Sequence, residues 1–226
     1  MPIKTNKSIF YHIPKTGGSW VKTALRKSMG TNDDFMFVRP KPNYDRIDDS
    51  VYWQHKLAGL FPLRRGHLAA CGLKEKDKEG LFSYTFVRRH LDWYRSWWVN
   101  KTYTINKLRK WKTFLLDYAY DPNFEQFITN VINMFPSGAL TTIYQCYLGR
   151  DGNDLDFVGT QENLVEDLIK ALTLAGEDFD EDVIRNLGKV NTSASRKLST
   201  DLPISPKLEK KLNTREKWIT KTFYDG

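Results

Sequence analysis

The sequence predicts an α/β protein of three layers, with a central, mostly parallel sheet between helices. Apolar segments of strand length alternate along the chain with segments of helical period. The segment 81–87, LFSYTFV, is almost continuously apolar, as is typical of a central parallel strand covered on both faces. The segment 9–25, IFYHIPKTGGSWVKTAL, has the strand–loop–helix order of a P-loop-like turn. We expect residues 1–226 to form a single domain, with a helical, aromatic-rich segment at about 97–150.

The individual elements follow from the period of the apolar residues. The first strand covers 9–13 and ends at Pro14, which has no N–H group for a ladder, and the first helix begins at Ser19. Further strands are predicted at 68–71, 81–87 and 157–159. Further helices are predicted at 51–63, from His90 past Val99, at 123–134, 164–174 and 180–187, and as one C-terminal helix after Ser205-Pro206. Residues 31–50 are predicted to be a surface loop, 74–80 a charged turn, and 140–148 either helix or strand.

Composition indicates a globular protein with a proper core, since 40% of the 226 residues are hydrophobic and 27% are charged. No apolar run approaches the roughly 20 residues that cross a bilayer, and the first ten residues contain no apolar signal segment. We therefore expect a cytoplasmic protein. Cys71 and Cys146 are expected to be free thiols. The net charge of +8 suits a nucleic acid, a membrane, a sulfated glycan or a nucleotide with several negative charges.

Residues 12–19 form a candidate anion-binding loop. Gly17 and Gly18 allow a tight turn without a Cβ atom, and the first N–H groups of the following helix have no intrahelical partner. These groups can face an oxyanion, and Lys15 adds a positive charge. For the two glycines alone, an ordinary strand-to-helix turn is the simpler interpretation. A Walker A loop and a dinucleotide fingerprint both fail, because the lysine precedes the glycines and the spaced glycines are missing.

The same loop resembles the motif HIPKTGGT of sulfotransferases. Residues 12–18 are identical to it, and Ser19 replaces the usual Thr. The chain thus resembles the carbohydrate-type (heparan-sulfate-type) sulfotransferases, which hold the 5′-phosphosulfate of 3′-phosphoadenosine 5′-phosphosulfate (PAPS) in this loop. The resemblance implies a sulfotransferase fold and a 5′ site made of Lys15, Thr16, Gly17, Gly18, Ser19 and Trp20. Animal members are typically anchored in the Golgi, so this chain either departs from them or is such an enzyme without its anchor.

A second motif follows the strand 81–87. The family pattern FVRxPLDRYxSxY is matched by Phe86, Val87, Arg88, Leu91, Asp92, Tyr94 and Ser96. The resemblance implies that Arg88, with its bidentate fork, and Ser96, with its hydroxyl, hold the 3′-phosphate. The chain has His90, Trp93 and Trp98 where the pattern has Pro, Arg and Tyr, and Arg89 or Arg95 is a candidate to replace the missing charge. Taken alone, such an arginine and serine are more simply surface side chains.

Two weaker matches lie further along the chain. The segment 156–164, DFVGTQENL, resembles the family segment FVGxxENL, to which we assign a structural role. The segment 190–197, VNTSASRK, resembles the loop that closes over the nucleotide, so that Arg196 and Lys197, together with Lys189, would contact phosphate. An ordinary basic loop explains the second segment equally well.

The chemistry implied by the resemblance is a loose, in-line displacement in which the protein positions groups and neutralises charge. Lys15 is the candidate that stabilises charge on the leaving phosphate oxygen. His67 is the candidate base, because RGHLAACGL resembles a family segment with a basic histidine, although an ordinary strand-end histidine is as consistent. The weaker alternatives are His55, Glu75 and Asp92. No metal is required, since lysine and arginine supply the positive charge.

The sequence therefore predicts a soluble PAPS-dependent sulfotransferase that releases 3′,5′-ADP (PAP) and acts on a hydroxyl of a small molecule or glycan, with carbohydrate as the expected acceptor. No nucleic acid partner is expected. At least half of the seven tryptophans are expected in the core, and those near the two motifs could instead stack on a sugar or aromatic acceptor. The basic stretch 101–112 is expected to be a solvated helix face, with a site for an acidic glycan as the alternative. The alternative is a non-catalytic nucleotide- or nucleic-acid-binding module on the same fold; a nucleotide kinase is disfavoured by the missing Walker A loop.

Overall fold

The computed structural model describes residues 2–30, 36–37, 79–108, 115–188, 190 and 202–225. Over these ranges the chain is an α/β protein, as predicted, with helices on both faces of a five-stranded sheet. The strands are β1 (Ile3–Lys4), β2 (Ser8–Phe10), β3 (Met36–Phe37), β4 (Phe82–Val87) and β5 (Phe157–Thr160). The helices are α1 (Gly18–Ser28), α2 (His90–Leu108), α3 (Phe124–Met134), α4 (Ala139–Leu148), α5 (Leu164–Leu174), α6 (Glu181–Arg185), α7 (Pro206–Arg215) and α8 (Lys217–Phe223), with a 3₁₀ turn at Leu115–Tyr118.

The sheet has the strand order β3-β1-β2-β4-β5. Its three strands β2, β4 and β5 are parallel, whereas β1 pairs antiparallel with both β2 and β3. In register, Phe10 lies opposite Tyr84, and Tyr84 lies opposite Phe157. The carboxyl ends of the three parallel strands therefore lie side by side at one edge, which is where open α/β sheets bind their ligands.

The strand β4 is the central, fully covered strand that the sequence predicts. All four residues from Tyr84 to Val87 are completely buried. Tyr84 and Phe86 pack on one face of the sheet and Val87 packs on the other, so that each face has its own core. The prediction made from LFSYTFV is confirmed.

Two hydrophobic cores flank the sheet. One lies between the sheet and α2, α3, α4, α7 and α8, and it includes Ile9, Val87, Trp93, Phe127, Tyr144, Leu212 and Ile219. The other lies between the sheet and α1, α5 and α6, and it includes Phe10, Phe86, Val21, Leu168 and Ile184. This arrangement gives the three layers that the alternation of strands and helices predicts.

The short strands β1 and β3 correct the sequence prediction. Residues 31–50 are predicted as a surface loop, but Met36–Phe37 forms β3, and β1 was not predicted at all. Strands of two residues are too short to show an alternating pattern. The strand β1 exists because the Thr5 N–H donates to Ser8 O (2.9 Å) and closes a turn that pairs Ile3 with Phe10. The predicted elements at 51–63 and 68–71 and most of the turn at 74–80 lie outside the described residues.

Several helices match their predictions. In α3 the predicted inward residues are all buried, namely Phe124, Phe127, Ile128, Val131 and Ile132. The Asn123 side chain caps this helix by accepting a hydrogen bond from the Gln126 N–H (3.0 Å). The ambiguous segment 140–148 is helical.

Two predictions about the helices are wrong. The single C-terminal helix is divided into α7 and α8 at Glu216, whose side chain is completely buried. Lys101, predicted to be on a solvated face, is 7% exposed and forms an ion pair with Asp117 (2.8 Å). Among the described residues four tryptophans are buried, as expected for at least half of the seven: Trp20, Trp93, Trp97 and Trp98. Among the described helices, none combines the length and apolarity that crossing a membrane requires.

Candidate functional site

The candidate loop, residues 11–17, connects β2 to α1 at the carboxyl edge of the sheet. The neighbouring strands bring Arg88 and Gln161 to the same edge, because each follows its strand directly. Two hydrogen bonds continue the parallel ladder beyond the strand ends: Tyr11 N–H donates to Tyr84 O (2.9 Å), and Gln161 N–H donates to Val87 O (2.7 Å). The loop is therefore held against the end of β4 from its first residue.

The start of α1 presents backbone donors near the loop. Gly17 is the N-cap residue, with φ of 90°, and its carbonyl accepts both Trp20 N–H (2.8 Å) and Val21 N–H (3.1 Å). The N–H groups of Gly18 and Ser19 thus precede the first intrahelical bond. The first turn contains no acidic residue, and no side chain of the described residues caps it. The positive end of this helix dipole is suited to an anion.

Both glycines of the loop are required by close contacts. A Cβ atom on Gly18 would lie 2.0 Å from His12 Cδ2, and one on Gly17 would lie 2.7 Å from Leu164 Cδ2. The sequence places His12 inside a strand, but β2 ends at Phe10 and His12 lies in the loop, with its ring stacked on Phe10. The His12 ring therefore fills the space under Gly18.

Lys15 has a left-handed backbone conformation, with φ of 69°, the sole case among the non-glycine residues described. Such a conformation costs about 1–2 kcal/mol for a residue with a Cβ atom. Two donors hold the carbonyls on either side of it. The Trp93 indole N–H donates to Pro14 O (2.7 Å), and Arg88 Nη1 donates to Lys15 O (3.4 Å). The left-handed conformation of Lys15 is thus held by Arg88, which follows β4, and by Trp93 of α2.

Arg88 is itself fixed by a buried hydroxyl. The Tyr144 hydroxyl accepts a hydrogen bond from Arg88 N–H (2.8 Å) and donates one to Arg88 O (3.0 Å). Burial raises the pKa of Tyr144 far above its ordinary value, so the hydroxyl keeps the proton that it donates. Within the described part of the chain, Arg88 Nε is buried without a hydrogen-bond partner, and no carboxylate forms an ion pair with this guanidinium. A buried donor of this kind is suited to an anionic ligand.

The other predicted site residues divide into three groups. Thr16 is buried and its hydroxyl donates to Ile13 O (2.9 Å), so it stabilises the loop from within. Ser19 is exposed, Ser96 is half-buried on α2, and the Trp20 side chain lies in the second core. The residues that fall outside the described ranges are His55, His67, Glu75, Lys189, Arg196 and Lys197.

The two arginines considered as replacements for the missing cation have other partners. Arg95 forms an ion pair with Asp92 (3.2 Å) and donates to Leu202 O. Arg89 lies over the Tyr224 ring, 4.4 Å from its centroid, and its N–H donates to Glu162 Oε1 (2.9 Å). The ion pair with Arg95 also occupies Asp92, a weaker candidate for the base.

Sequence reasoning missed two residues that build the site. The sequence marks Trp93 as a departure from the family pattern and as one of the tryptophans that could stack on an acceptor, not as a donor to the loop, and it does not mark Tyr144. Trp93 and Pro14 are 79 positions apart, and Tyr144 and Arg88 are 56 apart. No local pattern relates residues so distant in the chain, and only the fold brings them together.

A separate groove of about 620 Å³ lies between α3 and α7, away from the loop. Its lining includes Glu125, which accepts a hydrogen bond from the Ser205 N–H (2.8 Å). Hydrogen bonds from Ser205 lower the pKa of the Glu125 carboxyl. The groove contains none of the predicted site residues.

Comparisons of the chain with protein-family models, with curated proteins and with solved structures find no match. The resemblance of the two motifs to sulfotransferases therefore stays a hypothesis. Its support from the structure is the geometry of the loop and of Arg88.

Proposed function

We propose that this protein is a PAPS-dependent sulfotransferase that transfers a sulfuryl group to a hydroxyl, with carbohydrate as the expected acceptor. The observation that supports this most strongly is the contact between Arg88 Nη1 and Lys15 O (3.4 Å). It brings together the two segments that resemble the 5′ and 3′ phosphate sites of sulfotransferases. These segments are 73 residues apart in the sequence and meet at the ends of two adjacent parallel strands.

The described residues suit a nucleotide that carries phosphate groups on both the 3′ and the 5′ position of its ribose. Lys15 and the N–H groups of Gly18 and Ser19 would hold the 5′ group at the positive end of α1. Arg88, whose buried Nε has no partner among the described residues, would hold the 3′-phosphate with Ser96. Roles for His67, Arg196 and Lys197 rest on the sequence resemblance.

PAPS supplies an activated sulfuryl group, whose sulfur bonds to the acceptor oxygen as its bond to the phosphate oxygen breaks. The Lys15 ammonium group and the loop N–H groups would stabilise the negative charge on that phosphate oxygen. His67 would take the proton of the acceptor hydroxyl. The rigid backbone around Lys15 serves this chemistry because donors already in position need no reorganisation during the reaction.

A thermal-shift experiment tests the proposal. We expect 3′,5′-ADP without metal to raise Tm, since a ligand at 100 times its Kd stabilises the folded state by about 2.7 kcal/mol. ATP with magnesium and duplex DNA should have little effect. Arg88→Ala should abolish the shift, whereas Arg26→Ala, which removes an exposed arginine from the other end of α1, should retain it.

Three results would overturn the proposal. Stabilisation by DNA alone would favour a nucleic-acid-binding module, and stabilisation by ATP with magnesium alone would favour another class of nucleotide enzyme. If 3′,5′-ADP binds but labelled PAPS is never consumed with any acceptor, the chain is a nucleotide-binding module without turnover.

A further inference from the structure

We propose that Trp93 is a positioning residue for the 5′-phosphate site, and that its indole N–H sets the direction of the backbone donors in the loop. This inference rests on the proposed function and extends it to a residue where the chain departs from the family pattern. Trp93 acts through the carbonyl of Pro14, to which its indole N–H donates at 2.7 Å.

Peptide geometry links the carbonyl to the donors. In a trans peptide the C=O group and the following N–H group point in opposite directions, and the described residues contain no cis peptide. With Pro14 O directed at Trp93, the Lys15 N–H is directed to the opposite side. With Lys15 O directed at Arg88, the Thr16 N–H is likewise directed away from Arg88. Two consecutive carbonyl contacts thus orient two consecutive N–H groups.

The left-handed conformation of Lys15 makes this anchoring necessary. A lysine leaves that conformation readily, because it is disfavoured by about 1–2 kcal/mol relative to right-handed backbone. Alternating backbone conformations of this kind form concave nests of N–H groups that bind anions. Without the bond from Trp93, the Pro14–Lys15 peptide would be free to rotate and the nest would lose its shape.

Trp93 is well placed to act as a rigid anchor. Its side chain is 1% exposed in the first core, and its ring makes an edge contact with Tyr94 at 5.4 Å. An arginine at this position, as in the family pattern, would bring a charge into that apolar core, where unpaired charges are very costly. The indole of Trp93 instead supplies an uncharged N–H donor, which can be buried in the apolar core when it is hydrogen-bonded.

The test compares two tryptophans of the same helix. Trp93→Phe removes the donor to Pro14 O, and Trp98→Phe removes an equivalent buried donor, whose N–H bonds Asp121 O (2.8 Å) away from the loop. Binding of 3′,5′-ADP and of adenosine 3′-monophosphate is measured for both variants by calorimetry. The second ligand lacks the 5′-phosphate, so only the first depends on the loop.

We expect Trp93→Phe to lower the affinity for 3′,5′-ADP about tenfold, which is the effect of losing one oriented contact. The affinity for adenosine 3′-monophosphate should not change. Trp98→Phe should leave both affinities unchanged. If Trp93 only stabilised the fold, Trp93→Phe would lower the affinity for both ligands equally. If Trp93→Phe does not fold, benzothienylalanine at position 93 keeps the ring shape without the N–H and should give the same selective loss.

The outcomes separate the two proposals. If the wild-type protein binds 3′,5′-ADP and Trp93→Phe equals Trp98→Phe, the role of Trp93 is refuted and the proposed function stands. Equal weakening of both ligands by Trp93→Phe also refutes it. If the wild-type protein does not bind 3′,5′-ADP, the proposed function and this inference both fail.

Discussion

At the scale of single residues, the loop is defined by what surrounds its glycines. Gly18 has the least space of the described glycines, because the His12 ring lies 2.0 Å from the place of a Cβ atom. Gly17 has a positive φ as well as a close neighbour in Leu164. The two positions therefore require glycine for different reasons. Position 17 has a positive φ, and position 18 has no space for a Cβ atom.

We predict that Gly18→Ala destabilises the protein by about 1–3 kcal/mol, as overpacking in a filled site does. The added methyl group must displace the His12 ring from its stacked position on Phe10. Chemical denaturation measures the change in the free energy of unfolding. The same variant should also lose affinity for 3′,5′-ADP, since the start of α1 would shift.

Two controls make this prediction specific. Gly188→Ala adds a methyl group where no described residue other than its chain neighbours has an atom within 4 Å, and it should change stability by less than about 0.5 kcal/mol. The double variant His12→Ala/Gly18→Ala removes the obstacle, so Gly18→Ala should cost less in that background than in the wild type. An equal cost in both backgrounds would show that His12 is not the cause.

Single residues also show where sequence reasoning is limited. The motif at 12–19 correctly predicts a loop between a strand and a helix that contains Lys15 and Gly17, whereas Gly18 is the first residue of the helix. It could not reveal that Lys15 is left-handed, because that conformation depends on bonds from Trp93 and Arg88. Intrinsic preference predicts a left-handed residue at glycine, and here tertiary contacts determine it.

At the scale of elements, the buried carboxylate of Glu216, at the junction of α7 and α8, connects that junction to α2 and α4. Glu216 Oε1 accepts the Tyr94 hydroxyl of α2 (2.6 Å), and Oε2 accepts both the N–H (2.8 Å) and the hydroxyl (2.7 Å) of Thr141 in α4. The charge thus lies at the positive end of α4, where a carboxylate stabilises a helix. Since α4 carries Tyr144, which fixes Arg88, Glu216 supports the candidate site from a distance.

We predict that Glu216→Ala destabilises the protein by about 3 kcal/mol or more, because buried donors on Tyr94, Leu140 and Thr141 lose their acceptor. Glu209→Ala, which removes an exposed carboxylate from α7, should change stability by less than about 0.5 kcal/mol. Thermal and chemical unfolding measure both. Equal effects of the two variants would contradict the role assigned to Glu216.

The sequence predicts one C-terminal helix because nothing in the apolar period marks the break at Glu216. The apolar period continues through Leu212 and Ile219, both of which are completely buried. Sequence period shows which residues face inward, but a buried carboxylate between them looks like a surface residue in the pattern. Its partners at positions 94, 140 and 141 are distant in the chain, so the reason for the break exists only in the fold.

At the scale of the whole molecule, the layered architecture could be predicted from the sequence, whereas the short strands and one buried ion pair could not. Long segments with a clear period gave β4, α3 and α5 with nearly correct bounds. The short strands β1 and β3 depend on pairing with neighbouring strands, and the burial of Lys101 depends on its ion pair with Asp117, and neither effect appears in the apolar period. The parallel order of β2, β4 and β5 then positions the loop and Arg88 without any further signal in the sequence.

We propose that one nucleotide with two phosphate groups binds between the loop and the end of β4. The most direct test is a crystal structure of the protein soaked with 3′,5′-ADP. We predict the 5′-phosphate at the N–H groups of Gly18 and Ser19 with Lys15 beside it, and the 3′-phosphate on the Arg88 guanidinium. A nucleotide bound elsewhere on the molecule, or bound here with neither phosphate on these groups, would contradict the claim.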